Sequence, residues 1–210
     1  MKENNKGMKK IVLNLGCGQT YIKNAVNADF YKSGHCDKIL DLSKLPWPWE
    51  DNSVDEIYML HILEHFDCDM ILKIFKEANR VLKPNGLLHI QCPHFSSMLS
   101  LTCIDHKKAF SITTFDFLGD KSYLLDKPLF KKEFVRINYL MMLHRENKFI
   151  DFEPEKMSFD AGQHPLMRKL LWPFRALVQS LIDLSPAIFE RCWCYLVGGA
   201  DEIVYRGRKI

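Results

Sequence analysis

The chain has 210 residues and a mass of 24.6 kDa, room for one domain and an insertion. Hydrophobic residues make up 47% and charged residues 26%, which excludes a disordered chain. The net charge of +3 is too small to mark a general nucleic-acid binder.

Residues 1–8 are polar and mixed in charge and are expected to form a flexible tail, with residues 9–210 as a single domain. The apolar run Ile11 to Leu15 is too short for a signal-peptide core. The longest apolar region, Leu166 to Leu184, is broken by Arg168, Lys169, Arg175 and Asp183, so it does not span a membrane. The cysteine count is odd, at seven, and no C-x-x-C occurs. Both facts point to reduced, mostly buried thiols in a cytoplasmic protein.

Lys10 to Leu15 is a continuous apolar run, as in a central strand buried on both faces, and it enters the turn Gly16-Cys17-Gly18. Ala25 to Asp29 and Lys38 to Leu40 read as the next strands, and Leu45-Pro46-Trp47-Pro48-Trp49 as a stiff loop. Val54 to Leu60 reads as the fourth strand. From Asp67 to Lys83 the period becomes helical, with Met70, Ile71, Ile74, Phe75, Ala78, Val81 and Leu82 on one stripe. Asp67 or Asp69 is placed to cap this helix, and Pro84-Asn85-Gly86 to stop it. Leu87 to Gln91 is the fifth strand. Residues 93–132 are loop-rich, with a short helix expected near Thr113 to Leu118. Val135 to Tyr139 and Ile203 to Tyr205 read as two further strands, with Arg206, Arg208 and Lys209 trailing off. Leu166 to Leu184 reads as an amphipathic helix with a kink or restart at Pro173. Strands alternating with crossovers argue for an α/β fold with a mostly parallel sheet.

A strand ending at Gly16-Cys17-Gly18 allows a ligand close to the backbone. A helix beginning just after it would aim free N–H groups at an anion. Tyr21 stands where the dinucleotide fingerprint has its third glycine, and no Gly-Lys-Ser/Thr follows, so the turn suits a nucleotide-like ligand without a pyrophosphate. Asp29 and Asp41 close the second and third strands. One carboxylate suits the two hydroxyls of a ribose and the other an exocyclic amine. The competing reading makes both acids ordinary strand-end turn residues.

These segments resemble a known family. Val12-Leu13-Asn14-Leu15-Gly16-Cys17-Gly18 is similar to the first motif of the class I S-adenosylmethionine-dependent methyltransferases, and the domain looks type 11-like. Asp41-Leu42, Leu45-Pro46 and Asn52 to Tyr58 are similar to the stretch from adenine contact into the fourth strand. His61-Ile62-Leu63-Glu64-His65 and Glu77 to Gly86 are similar to the segments around the next helix. The resemblance covers about residues 10–95. It implies a Rossmann-like, doubly wound, seven-stranded sheet, mostly parallel, with an antiparallel terminal hairpin and an abbreviated first crossover helix. It implies that Asn14, Gly16, Cys17 and Gly18 face the methionine part of S-adenosylmethionine. Asp29 would hold the ribose, Asp41 with Leu42 the adenine, and Leu60 and His61 would line the cofactor. Asn14 stands where the family often has an acid, and Thr20 where it has a third glycine.

Residues 9–95 are then the cofactor-binding half and 96–210 the acceptor-selecting half, with an amphipathic helical insertion at about 160–195. The expected reaction is methyl transfer to a small-molecule or sugar-containing acceptor, leaving S-adenosylhomocysteine. His106, oriented by Asp105, is the first candidate base and His94 the second. No metal is expected. A non-catalytic binding or scaffold module on the same fold is the alternative. A remoter one is a zinc peptidase, since His61, Glu64 and His65 spell H-x-x-E-H. That motif needs one helix through all five residues. The stretch 166–184 is expected to pack on the core, or to meet a membrane surface or a protein partner.

Overall fold

The computed structural model describes residues 10–97, 100, 103–120, 124–138, 165–192, 194 and 200–210. The expected tail at 1–8, Tyr139 and the side chains of residues 165–172 and 175 lie outside the described residues.

Seven strands form one sheet: β1 (Val12–Leu15), β2 (Val26–Asp29), β3 (Lys38–Ile39), β4 (Val54–Leu60), β5 (Leu82–Pro93), β6 (Phe130–Asn138) and β7 (Glu202–Lys209). Their order is β3-β2-β1-β4-β5-β7-β6. The first five are parallel, and β7 is antiparallel to both β5 and β6. The expected sheet is therefore present.

Alternation divides its faces. Leu13, Ile57 and Leu88 are register neighbours and share a buried cluster with Ile74, Phe75 and Ala78 of helix α1 (Cys68–Val81). The next row, Asn14, Tyr58 and His89, is buried and polar, with the Tyr58 and His89 rings stacked at 4.3 Å.

Helix α1 starts where Asp67 Oδ1 accepts from the Met70 amide at 2.8 Å. It ends at Val81, before the expected proline stop, because Leu82 is already extended and pairs with Val54. Gly86 is needed next, since a methyl there would lie 2.9 Å from Lys83 O.

The crossovers differ from expectation. Residues 16–25 contain turns and no helix. They are fewer than the roughly one dozen residues that a helical crossover takes. Residues 40–53 also contain no helix, and here the loop is pinned to α1. Glu77 Oε1 accepts from Trp47 N at 2.6 Å, while Arg80 donates to the carbonyls of Trp47 and Trp49. The Leu45–Pro46 bond is cis. This anchorage fixes the segment that carries Asp41 and Leu42.

Strands β6 and β7 are longer than their alternation showed. The basic C-terminal residues belong to β7: Arg206 and Arg208 pair with Glu133, and Lys209 Nζ donates to the carbonyls of Asn79 and Leu82. A short 3-10 helix, Thr114–Leu118, occupies the expected position. Helix α2 (Pro165–Leu184) runs through Pro173, and the restart comes at α3 (Pro186–Arg191), which has Pro at its first turn. Val178 and Ile182 are buried, whereas Phe174, Leu177 and Leu181 are exposed, so the buried stripe is narrower than the apolar one. Among the described residues no helix is long and apolar enough to cross a membrane. Among the described residues the seven cysteines form no disulfide.

Candidate functional site

A pocket of about 160 Å³ opens at the carboxyl ends of β1 to β4, lined by Gly16, Asp29, Phe30, Leu40, Asp41, Leu42, Ile62 and Phe66. In open α/β sheets this is the ligand-binding edge. Gly16 has φ +70° and Gly18 φ +52°, a region glycine enters without steric cost. A methyl on Gly16 would fall 2.7 Å from Ile62 Cβ, whereas Gly18 has nothing within 4 Å of that position. Gly16 thus lets Ile62 close against the turn, and Gly18 leaves open space.

The acids are held for different reasons. Asp29 Oδ2 accepts from Gly18 N at 2.7 Å and Oδ1 from Tyr31 N at 3.0 Å, so it braces the glycine turn. Each oxygen keeps a further lone pair. Asp41 Oδ1 accepts from the Ser43 hydroxyl at 2.6 Å and its amide at 3.0 Å. The hydroxyl, then the amide, hold its carboxyl below the usual range.

Three expectations about the cofactor residues are corrected. With no helix after the turn, no helix N-terminus faces a ligand. The amides are already engaged, Gly16 N and Cys17 N on Ala28 O, and Gly18 N on Asp29. Cys17 is buried, with its sulfur near Gly18 O and His35 O. Burial, then the charge of Asp29, pushes its thiol up to about 12. It supports the turn from below rather than facing a ligand. Leu60 and His61 do not line the pocket; Ile62 and Phe66 do. Asn14 is buried in the sheet, donating to Thr20 O at 2.7 Å and to Asn27 Oδ1 at 2.9 Å. Its Oδ1 has no partner among the described residues.

His61 has φ +54° and its amide donates to Gln91 O at 2.8 Å. Its Nε2 lies 3.0 Å from Glu202 Oε1 and its Nδ1 3.5 Å from Glu64 Oε1. A left-handed residue followed by the 3-10 helix Leu63–His65 cannot present His61 and His65 on one α-helical face. The zinc-peptidase reading fails on that geometry.

The two candidate bases are also rearranged. His94 is fully buried, with Nδ1 2.7 Å from Ser96 Oγ and Nε2 3.0 Å from Glu190 Oε1. Glu190 also accepts from Ile112 N at 2.7 Å. His94 is therefore a buried tie between β5 and α3, with neither nitrogen open to an acceptor. His94→Ala is expected to lower stability by about 2–3 kcal/mol while leaving cofactor affinity unchanged. Chemical denaturation with calorimetry checks this, and unaltered stability with lost turnover would return His94 to catalysis. Asp105 orients His65, not His106: Asp105 Oδ2 lies 3.1 Å from His65 Nδ1. His106 packs edge-on against His65, with centroids 4.9 Å apart.

A family model for a methyltransferase domain matches residues 22–90. A SAM-dependent methyltransferase from Archaeoglobus fulgidus superposes with TM-score 0.55 at 15% identity, over 95% of this chain and 86% of that one. This chain has the class I methyltransferase fold. A SAM-dependent methyltransferase from Methanosarcina mazei shares that methyltransferase fold with TM-score 0.50 and 14% identity, over 96% of this chain and 93% of the other. Phosphoethanolamine N-methyltransferase 2 of Haemonchus contortus, solved with S-adenosyl-L-methionine, gives 0.50 and 13% over 95% of this chain and 48% of its own. No curated protein sequence matches.

The glycines, the strand-end acids and the segment after β4 were visible in the sequence. Phe30, Leu40, Ile62 and Phe66 were not singled out. The i, i+4 spacing of Ile62 and Phe66 was the available signal. Glu202 and Glu190, which partner His61 and His94, are distant in sequence and left none.

Proposed function

We propose that this chain binds S-adenosylmethionine and transfers its methyl group to a small-molecule acceptor. The observation that carries the reading is the pocket joining Gly16 to Asp29 and Asp41 between apolar walls at the carboxyl edge of the sheet. When bound, the cofactor supplies a methyl group on a sulfonium, which an acceptor lone pair displaces in line as the C–S electron pair returns to sulfur. The residues fit that group. The spare lone pairs of Asp29 suit the ribose hydroxyls, and ionised Asp41 suits an exocyclic amine. Leu40, Leu42 and Phe66 give the base apolar walls. The unpartnered Asn14 Oδ1 calls for a donor such as the amino group of the methionine part. Glu64 and Glu202, both buried, place negative potential at the ends of β4 and β7, which favours cationic groups. The pocket is below the roughly 300 Å³ of ordinary ligand sites, so binding opens the turns around Phe30 and Ile62.

Positioning supplies most of the rate in such a displacement. Where the acceptor is a hydroxyl, it must also lose its proton, and His106 is the residue we assign to receive it. Calorimetry with S-adenosylmethionine and S-adenosylhomocysteine tests the reading. Both are expected to bind, and Asp41→Ala to weaken both at least about tenfold, the worth of one charge-assisted hydrogen bond. No binding at millimolar ligand would sink the proposal.

The second reading, a non-catalytic module on the same fold, draws on the committed amides of the glycine turn. Binding without turnover on any acceptor class would favour it.

A further inference from the structure

Beside the cofactor pocket, five potential metal ligands converge. Glu64, His65 and His106 each bring a ligand atom within 4.8 Å of the others, and so do Cys103, Asp105 and His106. His106 belongs to both groups. The meeting is built by the backbone: the amides of Lys107 and Lys108 both donate to Glu64 O, at 2.7 and 3.3 Å. These bonds lay the 103–108 loop over the 3-10 helix after β4. A further turn bond, His106 N to Cys103 O at 3.1 Å, folds the loop back on itself.

Two atoms in this cluster mark it as more than a chance grouping. Glu64 is 1% exposed, yet its Oε2 has no hydrogen-bond partner among the described residues. His61 Nδ1 approaches its other oxygen at 3.5 Å, and the thiol of Cys92 stands beside the carboxylate as a weak donor. His106 Nδ1 is likewise buried and unpartnered among the described residues. A buried carboxylate oxygen and a buried imidazole nitrogen left without partners are costly, and a cation bound between their residues would satisfy both.

We propose that Glu64, His65 and His106 form a binding site for a divalent transition metal, with zinc as the ion. Mixed imidazole and carboxylate donors suit zinc, and three protein ligands leave a fourth position open. Asp105 already engages His65 Nδ1, which leaves Nε2 as the free ring nitrogen, the division of roles in a carboxylate–histidine–metal arrangement. The ligand atoms lie within 4.8 Å of one another, and the exposed loop carrying His106 supplies whatever closing the roughly 2.0–2.2 Å bonds to zinc require. The site differs from the H-x-x-E-H pattern, because His61 points to Glu202 and the third ligand comes from a distant loop. Ile62 and Phe66, on either side of Glu64 and His65, line the cofactor pocket, so the proposed site adjoins it. Glu64, His65 and His106 would hold the zinc, which would supply Lewis acidity toward a hydroxyl acceptor, and the base role given to His106 above applies to the chain without zinc.

The test uses the full chain, stripped with a chelator and titrated with zinc against a chromophoric indicator. One zinc per chain is expected. His65→Ala and His106→Ala should each weaken it at least about tenfold, and Asp105→Asn about 10- to 100-fold. Zinc should also raise the melting temperature of the wild-type chain and not of the His106→Ala chain, which separates metal loss from misfolding. Cys68→Ser with Cys192→Ser, which removes two exposed thiols, should change nothing. Zinc held equally by a His65→Ala/His106→Ala chain, or lost only with those two thiols, would overturn the proposal, as would no retained zinc. None of these measurements uses methyl transfer, so the metal site and the methyltransferase reading fail separately.

Discussion

Gly16→Ala is expected to lower stability by about 2–4 kcal/mol and to weaken cofactor binding at least tenfold. Two costs combine. Gly16 sits at φ +70°, where a Cβ costs about 1–2 kcal/mol. The added methyl would also lie 2.7 Å from Ile62 Cβ, an atom close to the backbone that no rotamer change can move aside. The segment after β4 must shift, and with it the pocket wall that Ile62 and Phe66 form. Gly18→Ala is the informative companion. Its φ is +52°, but nothing stands within 4 Å of the new methyl. It should lose only about 1 kcal/mol of stability and change affinity less than Gly16→Ala, because Gly18 is not among the residues that line the pocket. Denaturant unfolding and calorimetry on both variants separate the two effects. Wild-type affinity in Gly16→Ala would show that this turn is not the cofactor wall.

Arg80→Ala is expected to cost about 2–3 kcal/mol, below the full cost of breaking a buried pair because Arg80 is partly exposed. Arg80 donates to both oxygens of Glu77, to Asp51 and to the carbonyls of Trp47 and Trp49. Its removal strands a nearly buried carboxylate and loosens the loop that carries Asp41. The hydrogen bonds from Arg80 hold the Glu77 carboxyl below its ordinary value of 4.5. A depressed carboxyl stabilises the fold above that value and loses its contribution as the pH falls through the lower, folded one. The gap between wild type and variant should therefore be full near neutral pH and close in acid. Urea unfolding at a series of pH values reads it, and a gap independent of pH would contradict the assigned role of Glu77.

The legible parts of the chain were those where one residue decides local geometry. Val54 to Leu60, buried on both faces, and the α1 stripe could be bounded to within two residues because burial imposes the period. The charged ends of β6 and β7 could not, since backbone pairing extends them through Lys131, Lys132, Arg206 and Arg208 without any apolar alternation. The glycines and the strand-end acids were visible because a positive φ and a carboxyl-end position restrict residue type. The histidine partners were not, because sequence proximity misleads. Asp105 adjoins His106 yet pairs with His65, and His61 meets Glu202 from the opposite end of the chain.

Cys17, beneath the glycine turn, gives that turn a chemical clock. A thiol pushed up to about 12 by burial is almost wholly protonated near neutral pH, and only the thiolate is alkylated. Cys68 and Cys192 are exposed, so a thiol reagent consumes them first. Modification of Cys17 then needs an excursion that exposes its sulfur, and its rate, told apart from those of the buried Cys92 and Cys194 by mass spectrometry, reports on the turn.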